Sequence, residues 1–296
     1  RFFQSLWRLD CGVSSRGTGY SPRVASTISD FKELMTLEPH GPDVYVGLSP
    51  EYSWGRVYGG QVVAQGIRAA HETIDAAFRI HSLHAYFIRG GDFDEPIRYE
   101  VDRIRNGRSF MTRRVVARQS AGPILNLSAS FQISEPEEAD AQEIFIEEGT
   151  PRPEDLTVNS WNPMMEHARM PNQQSPARSA SWIRLKTSVG DDPVLQACAL
   201  AYTSDDFPTE AARLSHPIQP PSDGEDDRFV GASLDHAIWF HRAGRSDDWS
   251  LHDFRGMGVA NARGLAVGQI FDREGIHLAT VAQEILMRKR TAGFKR

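Results

Sequence analysis

The stretch GGQVVAQGIRAAHETI at residues 59–74, together with the apolar runs after it, decides the fold class of this chain. Val63, Ile67, Ala70 and Ile74 recur at intervals of three or four residues, so they share one face of a helix. Four strand-like runs follow this helix, at 81–88, 97–105, 110–119 and 124–133. A helix followed by four strands predicts an antiparallel sheet wrapped around a mostly buried helix.

The same order of elements recurs in the second half of the chain. The stretch DDPVLQACALAYTSD at 191–205 predicts a second helix, because Asp-Asp-Pro is typical of a helix N-terminus. A loop is expected over 208–228, and four further strands are expected at 233–240, 249–255, 264–271 and 277–287. The separation of Ser82 from Gln132 equals that of Ser233 from Gln283, at 50 residues. The shared order and the equal spacing predict an internal duplication.

Composition divides the chain into four parts. We predict an N-terminal extension at 1–29, a first domain at 30–134, an acidic linker at 135–160 and a second domain at 161–290. Acids and prolines crowd the linker, which is typical of a solvated connection, with an acidic partner-binding segment as the alternative. Residues 1–26 are rich in Arg and Ser, which fits an organellar transit peptide or, as we favour, a cloning remnant or an over-extended start.

Charge and cysteine content exclude several classes of protein. The 296 residues carry a formal net charge of −6, which argues against a nucleic-acid-binding surface. No run approaches the roughly 20 apolar residues that span a bilayer, so we expect no membrane span. Cys11 and Cys198 form no CxxC pair, and no HExxH spacing is present, so we expect a cytoplasmic location and neither metal nor cofactor. Organellar targeting by the N-terminal extension stays open.

Asp205 is the first candidate for chemistry. It continues the apolar face of the second helix formed by Val194, Cys198 and Ala201, which places a carboxylate at the buried C-terminal end of that helix. Burial and the partial negative charge of the helix end both raise the pKa of a carboxyl group, as a general base for water requires. The alternative is a frayed helix end with Asp205 in solvent.

Two further polar residues fall on predicted core positions. Gln283 shares one side of the last strand with apolar neighbours, so its amide needs partners, and the duplication pairs it with Ser233. From the pattern alone, each of the two is better explained as a polar group satisfied within the core. Asp235 and His236 are neighbours on a strand and face opposite sides, so they cannot act together, and His236 is interpreted as structural.

Three segments resemble a known family. RVYGGQ at 56–61, HSLHAYFIR at 81–89 and LDHAIWFHR at 234–242 are similar to segments of the acyl-CoA thioesterase II family, the bacterial TesB and peroxisomal thioesterase group. The resemblance spans about residues 30–290. It implies an α+β double-hotdog fold, in which two antiparallel sheets, each wrapped around a central helix, form one continuous sheet in one chain.

The resemblance also implies site residues. The family's catalytic trio falls on Asp205, Ser233 and Gln283, with Ser at a position that is often Thr in bacterial members. The first half keeps Ser82 and Gln132 but lacks the carboxylate, which implies one active site per chain. Substrate-binding candidates are the phosphate-binding arginines and the helix-opening glycines, namely Arg105, Arg108, Arg113, Arg114, Gly59 and Gly60.

The function implied by the resemblance is hydrolysis of fatty acyl-CoA to a free fatty acid and CoA, without a cofactor. An open sheet edge would pair two chains into a homodimer, or further into a tetramer. Two alternatives are a double-hotdog enoyl-CoA hydratase and a non-catalytic acyl-CoA-binding regulator. The hydratase requires an Asp and a His a few residues apart in one half, and the sequence shows no such pair beside Asp205.

Overall fold

The computed structural model describes residues 28–135, 138–218 and 229–289, so the prediction for residues 1–26 lies outside the described residues. Fifteen strands in the described part of the chain form one sheet in which every pair of neighbours is antiparallel. No helix in these three ranges is long and apolar enough to cross a membrane.

The first half contains the predicted central helix and its four strands. Its elements are α1 (Phe31–Leu34), β1 (Glu38–Pro39), β2 (Val44–Gly47), α2 (Gly59–His71), β3 (Phe78–Phe87), β4 (Ile97–Asn106), β5 (Phe110–Gln119) and β6 (Gly122–Ile133). Helix α2 begins at Gly59 as predicted, and the four long strands agree with the predicted runs within three residues. Val63 and Ile67 on the inward face of α2 are 0% and 1% exposed.

The second half repeats this arrangement with additions. After a 3-10 turn at Pro153–Asp155, its elements are β7 (Val158–Asn159), β8 (Met165–Arg169), β9 (Gln173–Gln174), β10 (Ala177–Leu185), α3 (Pro193–Ser204), α4 (Pro208–Leu214), β11 (Phe229–Ser233), β12 (Asp235–Phe240), β13 (Ser250–Ala260), β14 (Arg263–Phe271) and β15 (His277–Lys289). The predicted strand at 233–240 is therefore the second part of a strand that is interrupted at Leu234.

Two elements of the second half correct the predictions. Part of the loop expected at 208–228 is helix α4, which begins at a proline and buries Ala211, Ala212 and Leu214. Strand β10 was not predicted because nearly all its residues are buried, so the apolar–polar alternation that marks a half-buried strand is missing.

One strand pair joins the two halves into a single sheet. The strand order runs β1-β2-β4-β5-β6-β3 and continues across β12-β15-β14-β13-β10-β8-β7. At the junction, Leu83 of β3 pairs with Ile238 of β12. The central helices α2 and α3 contact each other, and the Tyr58 hydroxyl before α2 donates to the Tyr202 carbonyl near the end of α3 at 3.0 Å. The double-hotdog prediction is confirmed, and the start of α2 lies against the end of α3.

The acidic stretch between the halves is attached to the second half. Trp182 Nε1 donates to the Pro151 carbonyl at 2.8 Å, and Leu156 packs on the cluster that contains Trp182. The Glu147 carboxylate lies 2.8 Å from the Arg178 guanidinium. The stretch therefore has protein partners as well as exposed acids, and the proposed domain boundaries stay a prediction.

Candidate active site

Asp205 lies at the point where the two central helices meet. It caps the C-terminal end of α3 and is 8% exposed, so it is not a carboxylate in solvent at a frayed helix end. Gly59 opens α2 directly opposite, and a Cβ atom at Gly59 would lie 2.6 Å from Asp205 Oδ2. A Cβ atom at Gly60 would collide with the Tyr202 carbonyl oxygen. The two glycines are required because only residues without a side chain allow this approach.

The structure brings the predicted trio together. Gln283 on β15 is fully buried, and its Nε2 donates to Ser233 Oγ at the end of β11 over 2.8 Å. Hydrogen bonding to Gln283 also lowers the pKa of Asp205, which places the amide beside the carboxylate. Because Ser233 accepts this hydrogen bond, its own hydroxyl proton remains available to a water or a substrate oxygen. The site thus combines one proton acceptor with two neighbouring donors.

Burial raises the pKa of Asp205 to about 7. The Gln283 amide acts in the opposite direction, the neighbouring Asp206 raises the value further, and the Gly60 N–H and Arg56 lower it. Among the described residues, the buried Asp205 Oδ1 has no hydrogen-bond partner. A carboxylate with this pKa and a vacant acceptor atom suits proton transfer from water near neutral pH.

His236 joins the trio, although the sequence suggested only a structural role for it. Its side chain is fully buried, with Nδ1 at 2.5 Å from Gln283 Oε1 and 4.0 Å from Asp205 Oδ1. Asp235 lies on the other face, where its carboxylate accepts from the Glu284 N–H, so the expected separation of these two neighbours holds. The contact between His236 and Gln283 follows from the register of β12 and β15, which the sequence alone did not show. In that register Ala237 pairs with Ala282, so residues 236 and 283 lie opposite each other.

The predicted arginines do not reach this site. The β4–β5 hairpin that carries them packs near Thr73, beyond the far end of α2, which is about 20 Å long. Arg113 is 1% exposed and donates to Thr73 Oγ1 and Asn106 Oδ1, each at 2.7 Å. The structure therefore gives Arg113 a structural role and contradicts phosphate binding by it, because strand alternation turns it inward beside Val115. Phosphate contacts by Arg105, Arg108 and Arg114 stay predictions.

The corresponding place in the first half lacks the carboxylate and the histidine of the candidate site. The residue that caps the C-terminal end of α2 is Glu72, whose exposed carboxylate lies 2.6 Å from the Arg68 guanidinium one turn earlier. In the β3–β6 pair Gln132 lies opposite Arg79, whereas in the β12–β15 pair Gln283 lies opposite His236. The first half therefore has Ser82 and Gln132 but no counterparts of Asp205 and His236.

Two family models match the chain. The model described as "Acyl-CoA thioesterase N-terminal domain" matches residues 48–132, and the model described as "Acyl-CoA thioesterase" matches residues 154–286. The matched ranges fall on the two halves of the sheet.

Curated proteins and solved structures agree with the family models. The chain is 30% identical to "Acyl-CoA thioesterase 2" of Haemophilus influenzae, covering 90% of this chain and 99% of that protein. It is 30% identical to human "Acyl-coenzyme A thioesterase 8", covering 86% and 88%. The solved structure of "Acyl-CoA thioesterase II TesB2" from Mycobacterium marinum is 32% identical, with a TM-score of 0.76 over 90% of this chain and 99% of that one. With the duplicated fold and the Asp205 site, these similarities show that the chain belongs to the acyl-CoA thioesterase family.

Proposed function

We propose that the protein hydrolyses acyl-CoA to a carboxylic acid and CoA by means of a water molecule activated by Asp205. The observation that carries this proposal is the buried carboxylate of Asp205 with a pKa of about 7, grouped with Gln283 and Ser233. In the proposed reaction, the water oxygen attacks the thioester carbonyl carbon and its proton passes to Asp205.

The remaining groups stabilise the charge that develops on the carbonyl oxygen. The hydroxyl of Ser233 is the donor for this oxyanion or for the attacking water, while the second N–H of the Gln283 amide is bonded to Asp205. The N-terminal end of α2, which begins at Gly59, adds partial positive charge next to the same place. Collapse of the tetrahedral intermediate breaks the carbon–sulfur bond, and the proton held by Asp205 returns to the departing thiolate. No acyl-enzyme is needed.

One observation favours the enoyl-CoA hydratase alternative, namely the 4.0 Å distance between His236 Nδ1 and Asp205 Oδ1. The His236 ring is nevertheless fully buried, and both of its nitrogens already have partners, in Gln283 and Ser204. A ring enclosed in this way cannot deliver a proton to a substrate carbon. The geometry therefore supports hydrolysis over hydration.

The test of this function is a reaction panel with acyl-CoA substrates from acetyl to palmitoyl, together with a trans-2-enoyl-CoA. We expect thiol release with equimolar free acid from at least one saturated substrate. Loss of the enoyl absorbance without thiol release would instead indicate a hydratase. Binding measured by calorimetry without either reaction would indicate a regulator.

The pH dependence of hydrolysis should follow the ionisation of the Asp205 carboxyl group. Because its pKa is about 7 and the base must be ionised, kcat/KM should fall tenfold for each unit below this value and level off above it. His236 does not contribute to this slope, because burial lowers its pKa to about 4. The measurement is kcat/KM between about pH 5 and about pH 9. A profile without a slope in this range would contradict the assignment of the base.

Assembly and location are also proposals. We propose a homodimer, or a tetramer built from it, and a cytoplasmic location. The sheet ends at β1 and β7 in the described part of the chain, and such edges offer unpaired backbone groups to a second copy.

A further inference from the structure

His236 connects the end of helix α3 to Gln283. The imidazole Nδ1 lies 2.5 Å from Gln283 Oε1, and its Nε2 lies 2.9 Å from Ser204 Oγ. Ser204 is the last residue of α3 and directly precedes Asp205. The ring is fully buried, so both contacts are shielded from water. A single side chain therefore touches the amide of the site and the turn that carries the carboxylate.

The partners determine where the ring proton resides. An amide carbonyl oxygen only accepts hydrogen bonds, so Nδ1 carries the proton and donates it to Gln283 Oε1. Burial lowers the pKa of His236 to about 4, so the ring is neutral at physiological pH and Nε2 is an acceptor. The Ser204 hydroxyl proton is then shared between Nε2 and the Ala201 carbonyl oxygen, each of which lies 2.9 Å from Oγ.

This tautomer favours one orientation of the Gln283 amide. With Oε1 held by Nδ1–H, the amide NH2 group faces Ser233 Oγ at 2.8 Å. An ionised Asp205 only accepts hydrogen bonds, so its contact with Gln283 supports the same orientation of the amide independently of the ring. The rotated amide would set its NH2 group against the Nδ1–H and turn its carbonyl oxygen toward the Asp205 side, where a carboxylate repels it. Only one of the two orientations directs the amide donors to Ser233 and Asp205, which leaves the Ser233 hydroxyl proton available to water or to the thioester oxygen.

We propose that His236 is a positioning residue for thioester hydrolysis, which holds the Gln283 carbonyl through Nδ1–H so that the amide donors point into the site. The inference rests on the proposed function, because it assigns a task to Gln283 in that reaction. The fully buried ring of His236 leaves no surface for a substrate. It acts through Gln283 and through the last residue of α3.

The test compares two substitutions of similar polarity with one apolar substitution. His236→Asn places an amide N–H near the position of Nδ1, whereas His236→Gln places it near the position of Nε2. His236→Phe removes both polar atoms and keeps the ring. We expect His236→Phe and His236→Gln to lower kcat about 10- to 100-fold with little change in KM, and His236→Asn to recover most of the loss.

The pH profile supplies a readout that a merely structural role would not move. Hydrogen bonding from Gln283 lowers the pKa of Asp205, so release of the amide should shift the midpoint of kcat/KM upward in His236→Phe and His236→Gln, but not in His236→Asn. Asp206, Arg56 and the Gly60 N–H also act on Asp205 and are unchanged in all three variants. Asp235 and His84, which act on His236, are likewise unchanged.

The outcomes separate this inference from the proposed function. Equal losses in His236→Asn and His236→Gln with an unchanged midpoint would overturn the positioning role, as would full activity in His236→Phe. If His236→Phe does not fold, the comparison of Asn with Gln still decides. Failure of the proposed function would appear instead as unchanged hydrolysis when Asp205 itself is replaced.

Discussion

Replacing Asp205 with Asn is expected to lower kcat for acyl-CoA hydrolysis about 1000-fold and to leave KM within a few-fold of its original value. Asn has the shape of Asp but cannot accept the proton of the attacking water. Because the side chain at this position is almost completely buried, no bulk buffer base can replace the carboxylate within the site. The measurement is steady-state thiol release with the best substrate of the panel.

The same substitution should stabilise the fold at high pH. The pKa of Asp205 in the folded protein, about 7, lies above its ordinary value of 3.8, so ionisation of this carboxyl group costs stability as pH rises from the lower value to the higher one. The cost above pH 7 is at most about 4 kcal/mol. Asp205→Asn should therefore melt at a higher temperature than the original protein at pH 8, and this difference should shrink toward pH 4.

A matched control lies at the other end of α3. The Asp191 side chain is 94% exposed, so Asp191→Asn changes the same chemical group without touching the site. This control should retain full kcat and show no comparable gain in melting temperature at pH 8. Full activity in Asp205→Asn would remove the general base from the mechanism, and a lowered melting temperature would show that burial of its carboxylate is not unfavourable.

The central part of the fold could be predicted because local and global signals agree there. The glycines at 59 and 60 mark the start of α2, and the helical spacing of Val63 and Ile67 identifies its buried face. The equal spacing of the halves paired Ser233 with Gln283, and the resemblance to the thioesterase family then predicted one site that contains both of them and Asp205. Strand β10 was not predicted because its burial on both faces removes the apolar–polar alternation of a strand. Helix α4 was not predicted because it begins within a Pro-containing run that resembles a loop.

Side-chain roles were harder to predict than positions. Arg113 belongs to a sequence cluster of four arginines. Only the structure shows that its side chain points inward from β5 and donates hydrogen bonds to Thr73 and Asn106. His236 was separated correctly from Asp235 by strand alternation, but its partner Gln283 lies 47 residues away in sequence. Both roles depend on strand register, which can be predicted only once the neighbouring strands are known.

The second large effect is expected from Gly60→Ala. The new Cβ atom would collide with the Tyr202 carbonyl oxygen and lie 2.6 Å from the Tyr58 ring, so α2 and α3 must separate. We expect a loss of stability of about 3 kcal/mol, since overpacking against backbone cannot be relieved by a rotamer change. Tyr202 precedes Asp205 by less than one helical turn, so separation also moves the carboxylate away from Gln283. A displacement of about 1 Å should lower kcat about 100-fold.

Gly66→Ala in the same helix is the control for this prediction. Its Cβ atom would meet only the flexible end of Leu127, at 2.6 Å, and Ala is the better helix former by about 1 kcal/mol. Gly66→Ala should therefore be nearly neutral in thermal melting and in kcat, although it adds the same methyl group to the same buried helix. If both variants lose stability equally, the cost arises from crowding along all of α2. If Gly60→Ala alone loses stability and activity together, the cost arises from the contact between α2 and α3 that holds Asp205 in place.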